Sequence, residues 1–131
     1  MGNKITDNLK TGTLGELLVQ LRLLQFNVQA APPIKDSGND LIAVRGEVFH
    51  SIQVKTTAGE HFPKRRLPKH YHIVALVNLA ANDAELFLDQ SEIYLIPRAA
   101  MEKAKGIPKD LSRFRLSEGL IEQLFPVEHE L

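Results

Sequence analysis

Residues 40–57 read Asp-Leu-Ile-Ala-Val-Arg-Gly-Glu-Val-Phe-His-Ser-Ile-Gln-Val-Lys-Thr-Thr, and this stretch decides the fold. Two β-rich runs, Asp40–Arg45 and Val48–Thr57, flank Gly46-Glu47, a two-residue loop with glycine first, which is the pattern of a β-hairpin. With that loop Arg45 faces Val48, and counting back along both strands brings Asp40 opposite Gln53, with Cβ atoms roughly 5 Å apart. Alternation places Lys55 on the same face as Gln53. A carboxylate, a carboxamide and an ammonium group thus converge at one end of an otherwise mostly apolar hairpin. Desolvating them costs free energy unless they pair or bind something. A loop shifted by one residue would break this register. Three readings follow from the residues. Asp40 caps the preceding turn while Gln53 and Lys55 decorate an exposed face; or Asp40 and Lys55 form a structural ion pair; or Asp40 and the Gln53 side-chain oxygen hold a hard divalent cation, with Lys55 positioning a reacting water.

Outward from the hairpin, Leu14, Leu17, Leu18, Leu21 and Leu24 follow helical spacing, and an amphipathic helix is expected from about residue 13 to 25. Thr13-Leu14-Gly15-Glu16 fits a capping box at its start, in which Glu16 would bond the cap amide, although Asp7 could begin an earlier turn. Phe26–Ala31 reads as a short strand closed by Pro32-Pro33, and Asp36-Ser37-Gly38-Asn39 as a turn, with Ser37 as a turn former. Residues 58–71 are expected to be loop, because Pro63 and Pro68 oppose a long helix there. The apolar run His72–Leu79 reads as a central strand buried on both faces. Asn82-Asp83 marks a turn, and Glu85–Leu88 and Glu92–Ile96 read as further strands, the last ended by Pro97. Arg98–Lys105 is expected to be helical, and Ser117 to cap a final helix through about Leu124. The order defines one α/β domain over residues 1–131, a mixed β-sheet flanked by helices, with a core at about 12–97 and a C-terminal helical part at about 98–131.

The chain has 131 residues, 44% of them hydrophobic, enough for one core without staples. It has no cysteine, which excludes a disulfide scaffold and thiolate metal sites and points to a cytoplasmic protein. No apolar run approaches the roughly 18 residues of a membrane span, and no apolar signal core follows Met1, so no membrane partner is expected. Sixteen Lys+Arg balance 16 Asp+Glu, which at first argues against nucleic acid as a partner. The charge is uneven, however. Residues 61–75 contain Lys64, Arg65, Arg66 and Lys69 and no acid, whereas residues 76–131 contain ten acids and six bases. Screening makes the local field decisive, so such a stretch can meet phosphates, or it can be a solvated loop. His70-Tyr71-His72 lacks partners for a zinc site and suits surface or strand-edge roles. His50 alternates onto the face opposite Gln53 and is expected to be packed or exposed rather than catalytic, and His61 to be a solvated loop residue.

Taken in order, Thr13-Leu14-Gly15-Glu16, Ser37-Gly38-Asn39-Asp40-Leu41-Ile42-Ala43 and Ile52-Gln53-Val54-Lys55-Thr56-Thr57 resemble the PD-(D/E)XK, or restriction-endonuclease-like, nuclease superfamily. The pattern is similar to a small branch with a "QVK" strand, in which Gln replaces the usual acid. Archaeal Holliday-junction resolvases and intron-encoded homing endonucleases have similar layouts. The resemblance covers roughly residues 12–57, and 71–77 and 92–97 also suit it.

The resemblance implies a restriction-endonuclease-like fold and a metal-dependent endonuclease hydrolysing phosphodiester bonds in duplex or branched DNA, with Mg²⁺ or Mn²⁺ as cofactor. Asp40 would be the central metal carboxylate, Gln53 a ligand through its amide oxygen, the Val54 carbonyl a further ligand, and Glu16 a direct or water-mediated one. Lys55 would be the active-site lysine. Two or three protein oxygens suffice for Mg²⁺, which keeps several waters. Lys64, Arg65, Arg66 and Lys69 would contact backbone phosphates, and a homodimer would supply two active sites. Two departures stand beside this. Gln53 removes one negative charge, which also fits an inactive nucleic-acid-binding or assembly module that retains the nuclease fold. The prolines at 63 and 68 leave little room for the helix that the superfamily usually places before the next strand.

Overall fold

The computed structural model describes residues 5–35, 38–59, 67–82 and 85–127. The hairpin forms in the expected register: β2 (Leu41–Arg45) pairs antiparallel with β3 (Val48–Thr57), Arg45 opposite Val48 and Leu41 opposite Ile52. Gly46 has φ +60, the positive value that the first position of such a loop needs. β1 (Gln29–Ala31) adds to β2 on the outside, and β4 (Ile73–Asn78) adds in parallel to β3. β5 (Glu92–Pro97) closes the far edge antiparallel to β4. The result is one mixed sheet, as anticipated, with five strands in sequence order. Residues Ile73–Val77 of β4 are all buried, so that strand is covered on both faces, as expected, while β3 is the middle strand of the sheet. Its parallel pairing with β3 requires a crossover, and residues 58–72 supply it.

Helix α1 runs Asp7–Gln25, starting earlier than the leucine spacing indicated. The Thr6 side chain accepts the Leu9 N–H at 3.2 Å and is the true N-cap, so Thr13–Glu16 is not a capping box and Glu16 stands in the helix interior. The helix ends where Asn27 adopts φ +64, with the Val28 N–H on the Leu23 carbonyl and the Asn27 N–H on that of Leu24. Asn tolerates this left-handed turn, and the bonds satisfy carbonyls the helix end would otherwise leave open. The chain is thereby turned directly into β1.

The buried face of α1 also differs from the leucine stripe. Gly15, Leu18, Val19 and Leu23 are buried, whereas Leu17, Leu21 and Leu24 are 55%, 47% and 60% exposed. The cause lies in the approach of the helix to β3. A Cβ on Gly15 would sit 1.8 Å from Thr56 Oγ1 and 2.7 Å from Thr56 Cβ, so the helix backbone packs directly on the Thr56 side chain at this point. That contact fixes which face turns inward. Each glycine inside a helix costs about 0.5–1 kcal/mol relative to alanine. For Gly15 the packing repays it; for Gly12, where an added Cβ meets nothing within 4 Å, packing does not.

Leu18, Val19 and Leu23 join Leu41, Ile52, Val54 and Ala75 in the larger core, each large side chain contributing about 1.5–3 kcal/mol on burial. Helix α3 (Glu118–Leu124), capped as expected by Ser117 Oγ on the Leu120 N–H, adds Leu120 and Ile121 to the same core, followed by Phe125. Arg45 ties the hairpin tip to it, donating to the Phe125 carbonyl at 2.8 Å and to Glu122 at 2.7 Å. On the opposite face a smaller core joins Val74, Leu76 and Ile96 to Tyr71, Phe114 and Met101 of α2 (Arg98–Ala104).

The expected strand at Glu85–Leu88 does not form. Leu86 makes an isolated bridge with Ala81, and Leu88–Gln90 is a 3₁₀ turn. Ser91 closes it, its hydroxyl donating to the Phe87 carbonyl while accepting the Ala80 N–H.

Replacing Gly15 with alanine should destabilise the fold by about 1–3 kcal/mol, the range for overpacking a tight contact. The urea midpoint of unfolding, with an unchanged m-value, is the measurement that checks it.

Candidate active site

Strand β3 is longer than its partner. β2 covers only Val48–Ile52, so residues Gln53–Thr57 pair with β4 on one side, and no strand among the described residues pairs with their other edge. Asp40, immediately before β2, sits against this edge. Its N–H donates to the Ile52 carbonyl at 3.1 Å, and its Oδ2 accepts the Val54 N–H at 2.8 Å. In an extended strand the N–H and C=O of one residue face the same side, so the Val54 carbonyl also faces Asp40. The hairpin register thus brings Asp40 beside Gln53 as foreseen, while the carboxylate itself is fixed by the backbone of the next residue.

Gln53 and Lys55 alternate onto the sheet face away from α1, and Glu16 comes over from the α1 face. They meet along the open edge. Glu16, Asp40, Gln53, Val54 and Lys55 line one cleft of about 570 Å³, together with Asn8, Thr11, Gly12 and the strand end Thr56–Gly59. A cleft of this size has room for several water molecules. Gly15 fixes how deeply the neighbouring Glu16 reaches, because the helix is pressed against Thr56 there.

Burial pushes the Glu16 carboxyl above its ordinary range, and the adjacent Asp40 carboxylate and the hydrogen bond between the two push it the same way. The side-chain oxygen Oε1 of Gln53 is buried and has no hydrogen-bond partner among the described residues. A buried acceptor left so costs about 1–3 kcal/mol. Two carboxyl groups that repel, next to an amide oxygen without a donor, form an all-oxygen set that fits a hard divalent cation. Among the described residues no three His, Cys, Asp or Glu side chains cluster.

The basic stretch is only partly placed. Lys64, Arg65 and Arg66, with His61, Phe62 and Pro63, lie outside the described residues, as do Asp36 and Ser37. Lys69 is exposed, and its carbonyl accepts from Arg98 at 3.1 Å. The Arg98 guanidinium also lies 4.9 Å from the Tyr71 ring centre, anchoring the end of the crossover to α2. Asn39 Nδ2 donates to the His70 carbonyl at 2.8 Å, joining the turn before Asp40 to the same segment. His50 packs edge-on to Phe125 with Nε2 on the Leu124 carbonyl, a packing role as expected. His72 accepts the Ser51 N–H through Nδ1 at 2.9 Å, a strand-edge role. Asn8, Thr11 and Gly12 were not legible as cleft residues, because the helix was read as starting after them.

The sequence matches no known protein family, and no curated protein matches it either. Among solved structures the chain is similar to a bacterial homing endonuclease, I-Ssp6803I, with a TM-score of 0.63 over 94% of this chain and 94% of that one, at 15% identity. That likeness shows a shared, nuclease-like fold over nearly the whole domain.

The raised carboxyl of Glu16 has a definite sign. A folded-state proton held more tightly than in the unfolded chain favours the fold at low pH, and this advantage is lost as pH rises from the ordinary glutamate range through the raised value. Glu16→Gln, which keeps a hydrogen-bonding group without the charge, should therefore melt a few degrees above the wild type at about pH 8 in EDTA. The gap should close towards about pH 4. Thermal unfolding across that pH range checks both.

Proposed function

We propose that this chain is a metal-dependent endonuclease hydrolysing phosphodiester bonds in DNA. The observation that carries the reading is the convergence of Glu16, Asp40, Gln53 and Lys55 on the open edge of β3, in a fold shared with a homing endonuclease. Asp40, the Gln53 amide oxygen, the Val54 carbonyl and Glu16 would hold Mg²⁺ or Mn²⁺. Such an ion, when bound, polarises the phosphate and lowers the pKa of a water. The chain's own part is positional. Asp40 is held by the Val54 N–H, so its orientation is set before any ligand arrives. The Lys55 ammonium would orient the attacking water and neutralise charge building on the phosphate oxygens. In the hydrolysis the water oxygen bonds to phosphorus, the bridging sugar oxygen leaves with the bonding pair, and a water proton ends on that oxygen.

Lys64, Arg65, Arg66 and Lys69 would bind backbone phosphates at the crossover and give affinity without base reading. A surface this small reads little DNA alone, and a homodimer with two sites would extend it. No helix among the described residues is long and apolar enough to cross a membrane.

A second reading is favoured by one residue. Gln53 stands where a second carboxylate would strengthen cation binding, and a nucleic-acid-binding or assembly module that no longer cleaves would tolerate it.

Duplex, branched and single-stranded DNA incubated with Mg²⁺ or Mn²⁺ separate the two. On the nuclease reading the wild type cleaves, and Asp40→Ala and Lys55→Ala each lose about 10²-fold or more. Unchanged cleavage in both variants would reject this site. Salt-sensitive binding without cleavage, weakened by neutralising Lys64, Arg65 and Arg66, would support the module. Gln53→Glu should bind Mg²⁺ more tightly, read as a larger rise in melting temperature at a given Mg²⁺ concentration.

A further inference from the structure

The helix side of the cleft contains a feature that neither the cation nor the core explains. Asn8, Gly12 and Glu16 follow one another at intervals of four on α1, with Thr11 beside them, and all four line the cleft. Residues four apart in a helix share a face, so the cleft continues along α1 for two turns beyond Glu16. Gly12 lies inside the helix at a position where alanine would be the better helix former. Gly15 has a packing reason, since its missing Cβ would enter Thr56. For Gly12 the described residues supply none: a Cβ there would meet nothing within 4 Å among them. A glycine that weakens its helix and is not needed by any described neighbour leaves room for a ligand to approach the backbone closely. In the same cleft the Gln53 Oε1 atom is buried and has no hydrogen-bond partner among the described residues.

We propose that the Asn8–Gly12 face of α1 is the seat of the sugar–phosphate backbone flanking the scissile phosphate, with Gly12 kept bare so that the strand can lie against the helix. Asn8 and Thr11 carry uncharged donors and acceptors, which suit phosphate and sugar oxygens; contacts of this kind position a strand without reading its bases. The adjoining carboxylates make a free anion alone a poor occupant, whereas a nucleic-acid strand bringing a cation to them is compatible. The proposal rests on the nuclease reading and adds to it the track that the substrate follows and the residues that shape it.

Gly12→Ala and Gly12→Leu test it in the intact chain, with a mixed-sequence DNA duplex and a four-way DNA junction as probes. The expected result has three parts. Gly12→Ala melts above the wild type, as an unhindered helix position should. Both variants keep the wild-type rise in melting temperature on adding Mg²⁺, because the metal residues are untouched. DNA affinity and single-turnover cleavage fall, modestly for alanine and at least tenfold for leucine. A Gly12→Leu protein that binds and cleaves like the wild type overturns this proposal and leaves the nuclease reading standing, as does a Gly12→Ala protein that melts below the wild type. A wild type that neither binds nor cleaves either probe overturns both.

Discussion

The contact between Gly15 and Thr56 is the constraint on which the arrangement depends. Because the helix backbone at Gly15 comes directly against the Thr56 side chain on β3, this one close approach seats α1 on the sheet. Leu18, Val19 and Leu23 then point into the core, and Glu16 is brought over the end of the sheet. An ordinary leucine-to-sheet packing would hold the axis farther away and withdraw Glu16 from Asp40. The same residue that seats the helix therefore bears on the burial of Glu16 and on its nearness to Asp40, which in that order push its carboxyl above the usual range.

The second determinant is a mismatch in strand length. β2 stops at Leu41 while β3 runs on to Thr57, so half of β3 has a neighbour on one side only. Backbone groups along an unpaired stretch must find partners or water. Here Asp40 takes the Val54 N–H, and the remaining edge groups face the cleft. Side chains from both sheet faces reach that edge, which is how Glu16 from one layer meets Gln53 and Lys55 from the other. A fully paired sheet would have kept them apart.

The hairpin was legible in the sequence because two-residue loops with glycine first permit few registers, and one register already places Asp40 by Gln53. The central strand was legible for a similar reason: only burial on both faces explains a run like Ile73–Val77. The helix was misread in both extent and face. Leucine spacing measures apolar periodicity, but the face that packed contains Gly15 and Val19, and a glycine contributes nothing to such a count although it decided the outcome. Thr13 and Glu16 fit a capping box by type, yet Thr6 caps the helix. That error concealed Asn8, Thr11 and Gly12, which look like linker until the helix is known to extend through them. The strand expected at Glu85–Leu88 failed because Ser91 satisfies the local backbone and removes the need for a sheet partner.

The open edge of β3 has a consequence for solubility. Exposed strand edges recruit strands from other chains, since their unpaired N–H and C=O groups form a ready template. At Val54 that template is blocked, because the Asp40 carboxylate occupies the place a foreign carbonyl would take, and α1 stands over the neighbouring stretch. The carboxylate that completes the site therefore also guards the edge against strand addition. In this molecule, lining the candidate site and shielding the strand edge beside it fall to the same side chain.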